Sequence, residues 1–111
     1  MRADAPGADM LRGELWWAEL PEIGGHPVAL VSRDGSYDQR RRATVALITS
    51  TIRGIAVEVP VDPSNGLDHD SVINVDELQT IRITRLVERI GDLRPEQRAR
   101  LDEALRFALG L

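Results

Sequence analysis

Apolar and polar residues alternate along much of the chain, and this alternation predicts β-strands. Residues 13–20 (GELWWAEL) place Leu15 and Trp17 on one face of a first strand. Four further runs rich in β-branched residues predict additional strands over residues 27–32, 43–51, 55–61 and 71–83, the last as one long or two short strands.

Polar segments between these runs predict the loops. Residues 21–26 (PEIGGH) contain a proline and two adjacent glycines, which predicts a flexible loop with His26 at its far rim. Residues 33–42 form a charged connection, and residues 62–70 contain an Asn-Gly pair that suits a turn with positive φ.

The periodicity changes at the C-terminus and predicts an amphipathic helix. Pro95 suits the first helical position and Gly110 suits the C-terminal cap. Charged residues at i,i+4 spacing predict the pairs Glu96–Arg100 and Asp102–Arg106 on the solvent face. The opposite, apolar face comprises Leu101, Ala104, Leu105, Ala108 and Leu109.

Short strands followed by one terminal helix indicate a mainly β fold, a small β-barrel with a C-terminal amphipathic helix. We expect a single domain over residues 11–111, preceded by a flexible tail over residues 1–10 that Pro6 and Gly7 interrupt. The tail lacks the apolar run of a signal peptide, and no apolar stretch is long enough to cross a bilayer. These features predict a cytoplasmic protein without a membrane partner.

Composition narrows the possible functions. The absence of cysteine excludes disulfides and thiolate metal sites. The net charge of −4 argues against indiscriminate nucleic-acid binding, so any contact with RNA requires a local basic patch. All fourteen basic residues are arginines, and several lie close together in the sequence: Arg33, Arg40, Arg41, Arg42 and Arg53.

Several familiar site types are excluded by counting. Two histidines, His26 and His69, make no convincing zinc site without cysteine, although carboxylates could complete one. The acidic loop over residues 62–70 does not fit an EF-hand, because Gly66 would place Val61 at the first ligand position. The chain has no P-loop and no GxSxG motif. We therefore predict no metal and no cofactor.

Several segments, taken in order, resemble the MazF/PemK family of toxin endoribonucleases: GELWWAEL, the Gly-rich loop into HPVALVS, VALITST, DHDSVINVDELQTI and LDEALRFALGL. This resemblance implies an SH3-like barrel of the CcdB/PemK type that forms a homodimer, with single-stranded RNA in a groove across the two subunits. It also implies a cognate MazE-like antitoxin whose acidic, flexible tail fills that groove. The implied reaction transfers the scissile phosphate to the neighbouring 2′-hydroxyl, leaving a 2′,3′-cyclic phosphate and a 5′-hydroxyl.

The resemblance also implies the residues of the site. A family threonine late in the central strand corresponds to Thr49. A family arginine just before the proline of the second strand is replaced here by His26, which precedes Pro27. An imidazole can donate or accept a proton near neutral pH, so we expect His26 and Thr49 to be the catalytic pair. His26 could equally be an ordinary loop histidine.

Neighbouring residues are candidates for contacting the substrate. We expect substrate binding by polar, small or basic residues near the two catalytic positions: Gly25, Ser32, Arg33, Ser50, Thr51 and Arg53. Arg40 to Arg42 form either a phosphate-binding patch or a solvated face. Trp16 and Trp17 are expected in the core or an interface, with base stacking as the alternative.

Two other functions remain open at this level. A gyrase-poisoning toxin of the same fold acts by protein contact and cleaves nothing, and a catalytically silent homologue would bind RNA alone. Thr49 in its strand, together with DSVINVDELQTI, favours the ribonuclease.

Overall fold

A computed structural model describes residue 7 and residues 9–111, and most of the predicted tail lies outside these residues. The described part contains six strands, two helices and two 3₁₀ turns. The strands are β1 (Glu14–Leu20), β2 (Gly24–Leu30), β3 (Arg42–Thr49), β4 (Glu58–Val61), β5 (Ser71–Arg82) and β6 (Leu86–Asp92). The helices are α1 (Tyr37–Arg40) and α2 (Pro95–Leu109), and the 3₁₀ turns cover Pro63–Asn65 and Ile83–Arg85.

The strands form one antiparallel sheet in the order β4-β5-β3-β2-β1-β6. Strand β5 serves both halves of this curled sheet because its register against β3 shifts: Ala46 pairs with Leu78, whereas Leu47 pairs with Asn74. The Asn74 side chain accepts a hydrogen bond from the Asp76 backbone at the shift (2.9 Å). Such a bulge bends a strand, so one continuous strand can follow the curvature of the sheet.

A buried polar network connects the two edges of the sheet. Asn65, in the turn after β4, donates to the Asp92 carbonyl at the end of β6 (3.0 Å) and exchanges two hydrogen bonds with the Gln97 amide in α2 (2.8 and 3.0 Å). The chains approach so closely that a Cβ on Gly91 would lie 2.0 Å from the Asn65 carbonyl oxygen. The network therefore ties β4, β6 and α2 together.

Apolar side chains on the two sides of the curled sheet form two clusters. The first contains Leu15, Ile73 and Leu101 and includes the buried face of α2. The second surrounds Leu30 and Tyr37 on the other side. Burying a large apolar side chain contributes about 1.5 to 3 kcal/mol, so these clusters supply the main stabilisation of the fold.

The mainly β class with a C-terminal helix is confirmed, but several element boundaries were wrong. Residues 24–26 are not loop, because β2 already begins at Gly24 and pairs with β1. Residues 55–57 precede β4 as irregular chain. Strand β6 was not predicted, because its charged and largely exposed residues carry no strand periodicity.

Helix α2 begins at Pro95 and ends before Gly110, as predicted. The predicted solvent-face pairs Glu96–Arg100 and Asp102–Arg106 do not form. Asp102 forms an ion pair with Arg12 (2.5 Å), and Arg100 donates to the Glu58 carbonyl (3.0 Å). These charges therefore connect α2 to β4 and to the segment before β1. Leu109, expected on the apolar face, is exposed.

No helix in the described part of the chain combines the length and the apolarity needed to cross a membrane.

Candidate active site

A cleft of about 460 Å³ opens where β2, the end of β3 and the loop before β5 meet. Three separate segments of the chain provide most of its walls. Its lining residues are Trp17, His26, Pro27, Ile48, Thr49, Ser50, Gly66, Leu67, Asp68, His69, Ser71 and Ile90. The two residues predicted as catalytic, His26 and Thr49, therefore lie on the same cleft.

His26 is half-buried in β2, where it is paired with Ala18 of β1. Pro27 has no N–H with which to continue the ladder to β3, and the pairing of β2 with β3 covers only residues 28–30. The His26 imidazole bonds to β3 instead, through Nε2 and the Ile48 carbonyl oxygen (2.7 Å).

This bond defines the state of the imidazole. A carbonyl oxygen can only accept, so Nε2 must carry the proton. Nδ1 of His26 is then a lone pair in the neutral ring and an N–H in the charged ring. It is the ring atom left to exchange a proton with a molecule in the cleft.

Thr49 and Ser50 place two hydroxyl groups beside this imidazole at the end of β3. Thr49 Oγ1 accepts a hydrogen bond from the Thr51 backbone N–H (3.1 Å). That bond uses a lone pair and leaves the hydroxyl proton available for donation. The strand end therefore offers donors suited to an anionic oxygen.

Residues 66–69 and Ser71 form another wall of the cleft, and His69 among them was considered from the sequence only as a metal ligand. His69 lines the cleft, and its backbone carbonyl accepts a hydrogen bond from the Ser71 hydroxyl (3.2 Å). The position of its loop depends on the network at Asn65. Nothing in the local sequence indicates that His69 shares a cleft with His26.

Trp17 was expected in the core or an interface, but it lines the cleft with 39% of its surface exposed. Its ring lies over Gly25, where a Cβ would come within 2.7 to 2.9 Å of three ring atoms. Gly25 thus makes room for the indole beside the cleft. Trp16 is half-buried and donates from Nε1 to the Glu14 carboxylate (2.9 Å).

Five of the six predicted substrate-binding residues are not among the residues that line this cleft. The Ser32 hydroxyl accepts from the Thr44 backbone N–H (2.5 Å), which gives it a structural partner on the far part of β3. Arg33, Thr51 and Arg53 are exposed outside the lining. Of the predicted set, Ser50 lines the cleft and Gly25 adjoins it through Trp17.

The loop over residues 50–57, which follows the Thr49 hydroxyl, is held by a buried carboxylate. Glu58 is 2% exposed, and its Oε1 accepts hydrogen bonds from the backbone N–H groups of Arg53 (2.9 Å) and Gly54 (2.8 Å). Its Oε2 is buried without a hydrogen-bond partner among the described residues. Such an anchor fixes the chain just after the site.

The charges of the cleft differ from the arginine patch that the sequence suggested. Its lining residues include two histidines and Asp68, and no arginine. Residues 7 and 9–111 contain no group of three or more His, Asp or Glu side chains placed to hold a metal ion. The cleft therefore offers hydroxyl groups, two imidazoles and one carboxylate.

Comparison with known proteins provides an independent line of argument. Residues 11–109 match the family described as PemK-like, MazF-like toxin of type II toxin–antitoxin system. A probable endoribonuclease, MazF5 of Mycobacterium tuberculosis, is 45% identical over 83 residues, which cover 74% of this chain and 76% of the relative.

Solved structures agree with the sequence match. The M. tuberculosis toxin MazF-mt6 superposes with a TM-score of 0.83 at 39% identity and covers 88% of this chain and 97% of its own. A mycobacterial endoribonuclease, solved in complex with its cognate antitoxin, gives a TM-score of 0.80 at 28% identity over 92% of this chain and 96% of its own.

Proposed function

The chain belongs to the PemK-like, MazF-like family of type II toxin–antitoxin toxins, and we propose that it cleaves single-stranded RNA as the toxin endoribonuclease of such a system. Its relatives are named endoribonucleases. The observation that carries the proposal is the convergence of His26 and Thr49 on one cleft. A gyrase poison would need neither group there.

The reaction is an internal transesterification at the scissile phosphate. The ribose 2′-oxygen loses its proton, forms a bond to phosphorus and displaces the 5′-oxygen, which gains a proton. The products are a 2′,3′-cyclic phosphate and a 5′-hydroxyl, and no external nucleophile is consumed. Because the substrate supplies its own nucleophile, the protein needs only proton transfer and stabilisation of the phosphate oxygens.

The cleft residues can be matched to these needs. Nδ1 of His26, as the lone pair of the neutral ring, takes the 2′-hydroxyl proton. The hydroxyls of Thr49 and Ser50 donate to the non-bridging phosphate oxygens, where charge develops. The exposed Trp17 ring provides a surface on which a neighbouring base can stack.

The test is cleavage of a long single-stranded RNA by the purified protein in the presence of a chelator, followed by analysis of the product ends. We expect 5′-hydroxyl and cyclic phosphate ends at a limited set of sites. Products with 5′-phosphates, or activity that disappears with the chelator, would contradict the mechanism.

The residue assignment is tested with His26→Ala and Thr49→Ala. Each should slow cleavage by roughly 10² to 10⁴-fold, because each removes a group that acts in the transition state. Thr80→Ala is the matched control, since Thr80 is exposed on β5 and outside the lining, and it should retain its activity. Full activity in His26→Ala would move the proton transfer to another group.

We further propose a homodimer in the cytoplasm, inhibited by a cognate antitoxin with an acidic, flexible tail. Support comes from the relative that was solved in complex with its antitoxin. Light scattering should give a mass near twice the 12.3 kDa of one chain. Adding the product of the gene immediately upstream should abolish cleavage, and undiminished cleavage would exclude that product as the antitoxin.

A further inference from the structure

The chain has two histidines, and both lie on the same cleft although they come from distant parts of the sequence. His26 belongs to β2, whereas His69 belongs to the loop before β5. We propose that His69 is a second catalytic residue, the general acid that protonates the departing 5′-oxygen. This inference rests on the proposed ribonuclease function.

The chemistry requires two groups in opposite protonation states. When the O2′–P bond forms and the P–O5′ bond breaks, one proton leaves the 2′-oxygen and another arrives at the 5′-oxygen. A single imidazole cannot be unprotonated for the first transfer and protonated for the second within the same step. The cleft must therefore contain a second proton-transfer group beside His26.

The other lining residues do not supply that group. The hydroxyls of Thr49, Ser50 and Ser71 hold their protons too tightly to release them near neutral pH, and a carboxylate such as that of Asp68 only accepts hydrogen bonds. The Trp17 indole N–H is a donor that does not titrate. An imidazole is the side chain suited to giving up a proton at this pH, which leaves His69.

The hydrogen bonds divide the two roles. Nε2 of His26 is committed to the Ile48 carbonyl, so the neutral ring presents the Nδ1 lone pair of a base. Among the described residues, His69 is hydrogen-bonded only through its backbone carbonyl, by the Ser71 hydroxyl. That bond steadies the backbone while the exposed imidazole can turn toward the leaving oxygen.

The first experiment measures cleavage of ordinary RNA by His69→Gln, which keeps polarity but cannot transfer a proton. We expect kcat to fall by roughly 10² to 10⁴-fold, the range for loss of one acid or base. Affinity for a 2′-deoxy, uncleavable RNA should stay unchanged, because the loss is in proton transfer and not in binding. Asp70→Asn is the matched control, since Asp70 adjoins His69 but does not line the cleft, and it should cleave normally.

The pH dependence of cleavage gives a second readout. A base and an acid together produce a bell-shaped profile, and His69→Gln should remove the limb on which the acid loses its proton. The titratable group beside His69 along the cleft is Asp68, with Asp70 next in the chain. Asp68→Asn should keep both limbs, and its loss of a limb would assign that limb to Asp68.

The decisive experiment replaces the scissile 5′-oxygen of the RNA with sulfur. A thiolate is far less basic than an alkoxide and leaves without protonation. We therefore expect His69→Gln to cleave this substrate nearly as fast as the unmodified protein, while His26→Gln stays slow. Sulfur rescue of His26→Gln instead, or no rescue of His69→Gln, would overturn the assignment.

These outcomes separate the inference from the proposed function. If the unmodified protein fails to cut RNA, the ribonuclease proposal itself is wrong. If it cuts RNA and His69→Gln cuts equally well, the ribonuclease stands and the role of His69 is refuted.

Discussion

Replacing Asn65 with alanine tests whether the buried amide network holds the sheet closed beside the cleft. The Asn65 side chain makes four hydrogen bonds. It donates to the Asp92 carbonyl and to Gln97 Oε1, and it accepts from the Asp62 backbone (3.0 Å) and from Gln97 Nε2 (3.0 Å). The substitution removes all four, and the buried Gln97 amide then keeps only its bonds with the Arg94 backbone N–H (2.9 Å) and the Pro60 carbonyl (3.3 Å).

The size of the effect follows from this count. A typical hydrogen bond contributes about 1 kcal/mol net, and a buried group left without a partner costs about 1 to 3 kcal/mol. We therefore expect Asn65→Ala to lower the free energy of unfolding by about 3 to 5 kcal/mol, at the upper end of single substitutions. Ser64→Ala, in the same turn but exposed, should cost less than about 1 kcal/mol.

Urea denaturation followed by circular dichroism measures these differences. The double variant Asn65→Ala with Gln97→Ala should lose less than the two single losses added together, with a coupling of about 1 to 3 kcal/mol. The reasoning fails if Asn65→Ala costs under about 1 kcal/mol, or if the two substitutions are additive.

Three further predictions concern other buried groups. Burial raises the pKa of Tyr37 to about 12 from its ordinary 10.0. The unfolded chain therefore releases this proton first, and the free energy of unfolding falls by about 2 to 3 kcal/mol as the pH rises from about 10 to about 12. Absorbance of the single tyrosine measures the pKa, and a titration near 10 in the folded protein would refute the prediction. Glu58→Ala should cost about 2 to 4 kcal/mol, because it removes the buried acceptor of the Arg53 and Gly54 N–H groups. It should also speed tryptic cleavage after Arg53, and unchanged cleavage would show that the loop needs no anchor. Gly91→Ala should lower the free energy of unfolding by more than about 3 kcal/mol, since its Cβ would meet the Asn65 carbonyl. A urea midpoint like that of the parent protein would show that the backbones at Gly91 and Asn65 can move apart without a loss of stability.

Local sequence patterns were sufficient to predict most of the strands and the C-terminal helix. The alternation around Leu15 predicts a strand, and the apolar periodicity between Pro95 and Gly110 predicts a helix. Strand β1 and helix α2 appear where expected. The order of the motifs was sufficient to identify the family, and the resemblance pointed to Thr49 at the end of β3 as a site residue. Strand β6 was missed because most of its residues are charged or exposed, so its pairing with β1 leaves no alternating pattern in the sequence.

The site was harder to predict than the fold, because its walls come from distant segments. His69 lies in a polar loop whose local sequence indicates only a turn, and its place opposite β2 depends on the bonds of Asn65 to the end of β6. Trp17 was expected in the core or an interface, because large aromatic residues are usually buried. Its exposure follows from Gly25 on the neighbouring strand, which leaves space for the ring.

The tie at Asn65 also affects when an active molecule can exist. A ribosome makes His26 and Thr49 well before Asp92 and Gln97, whose bonds with Asn65 connect the turn after β4 to β6 and α2. A nascent polypeptide therefore contains part of the cleft lining before the partners of Asn65 exist. The complete tie requires a chain that extends through residue 97.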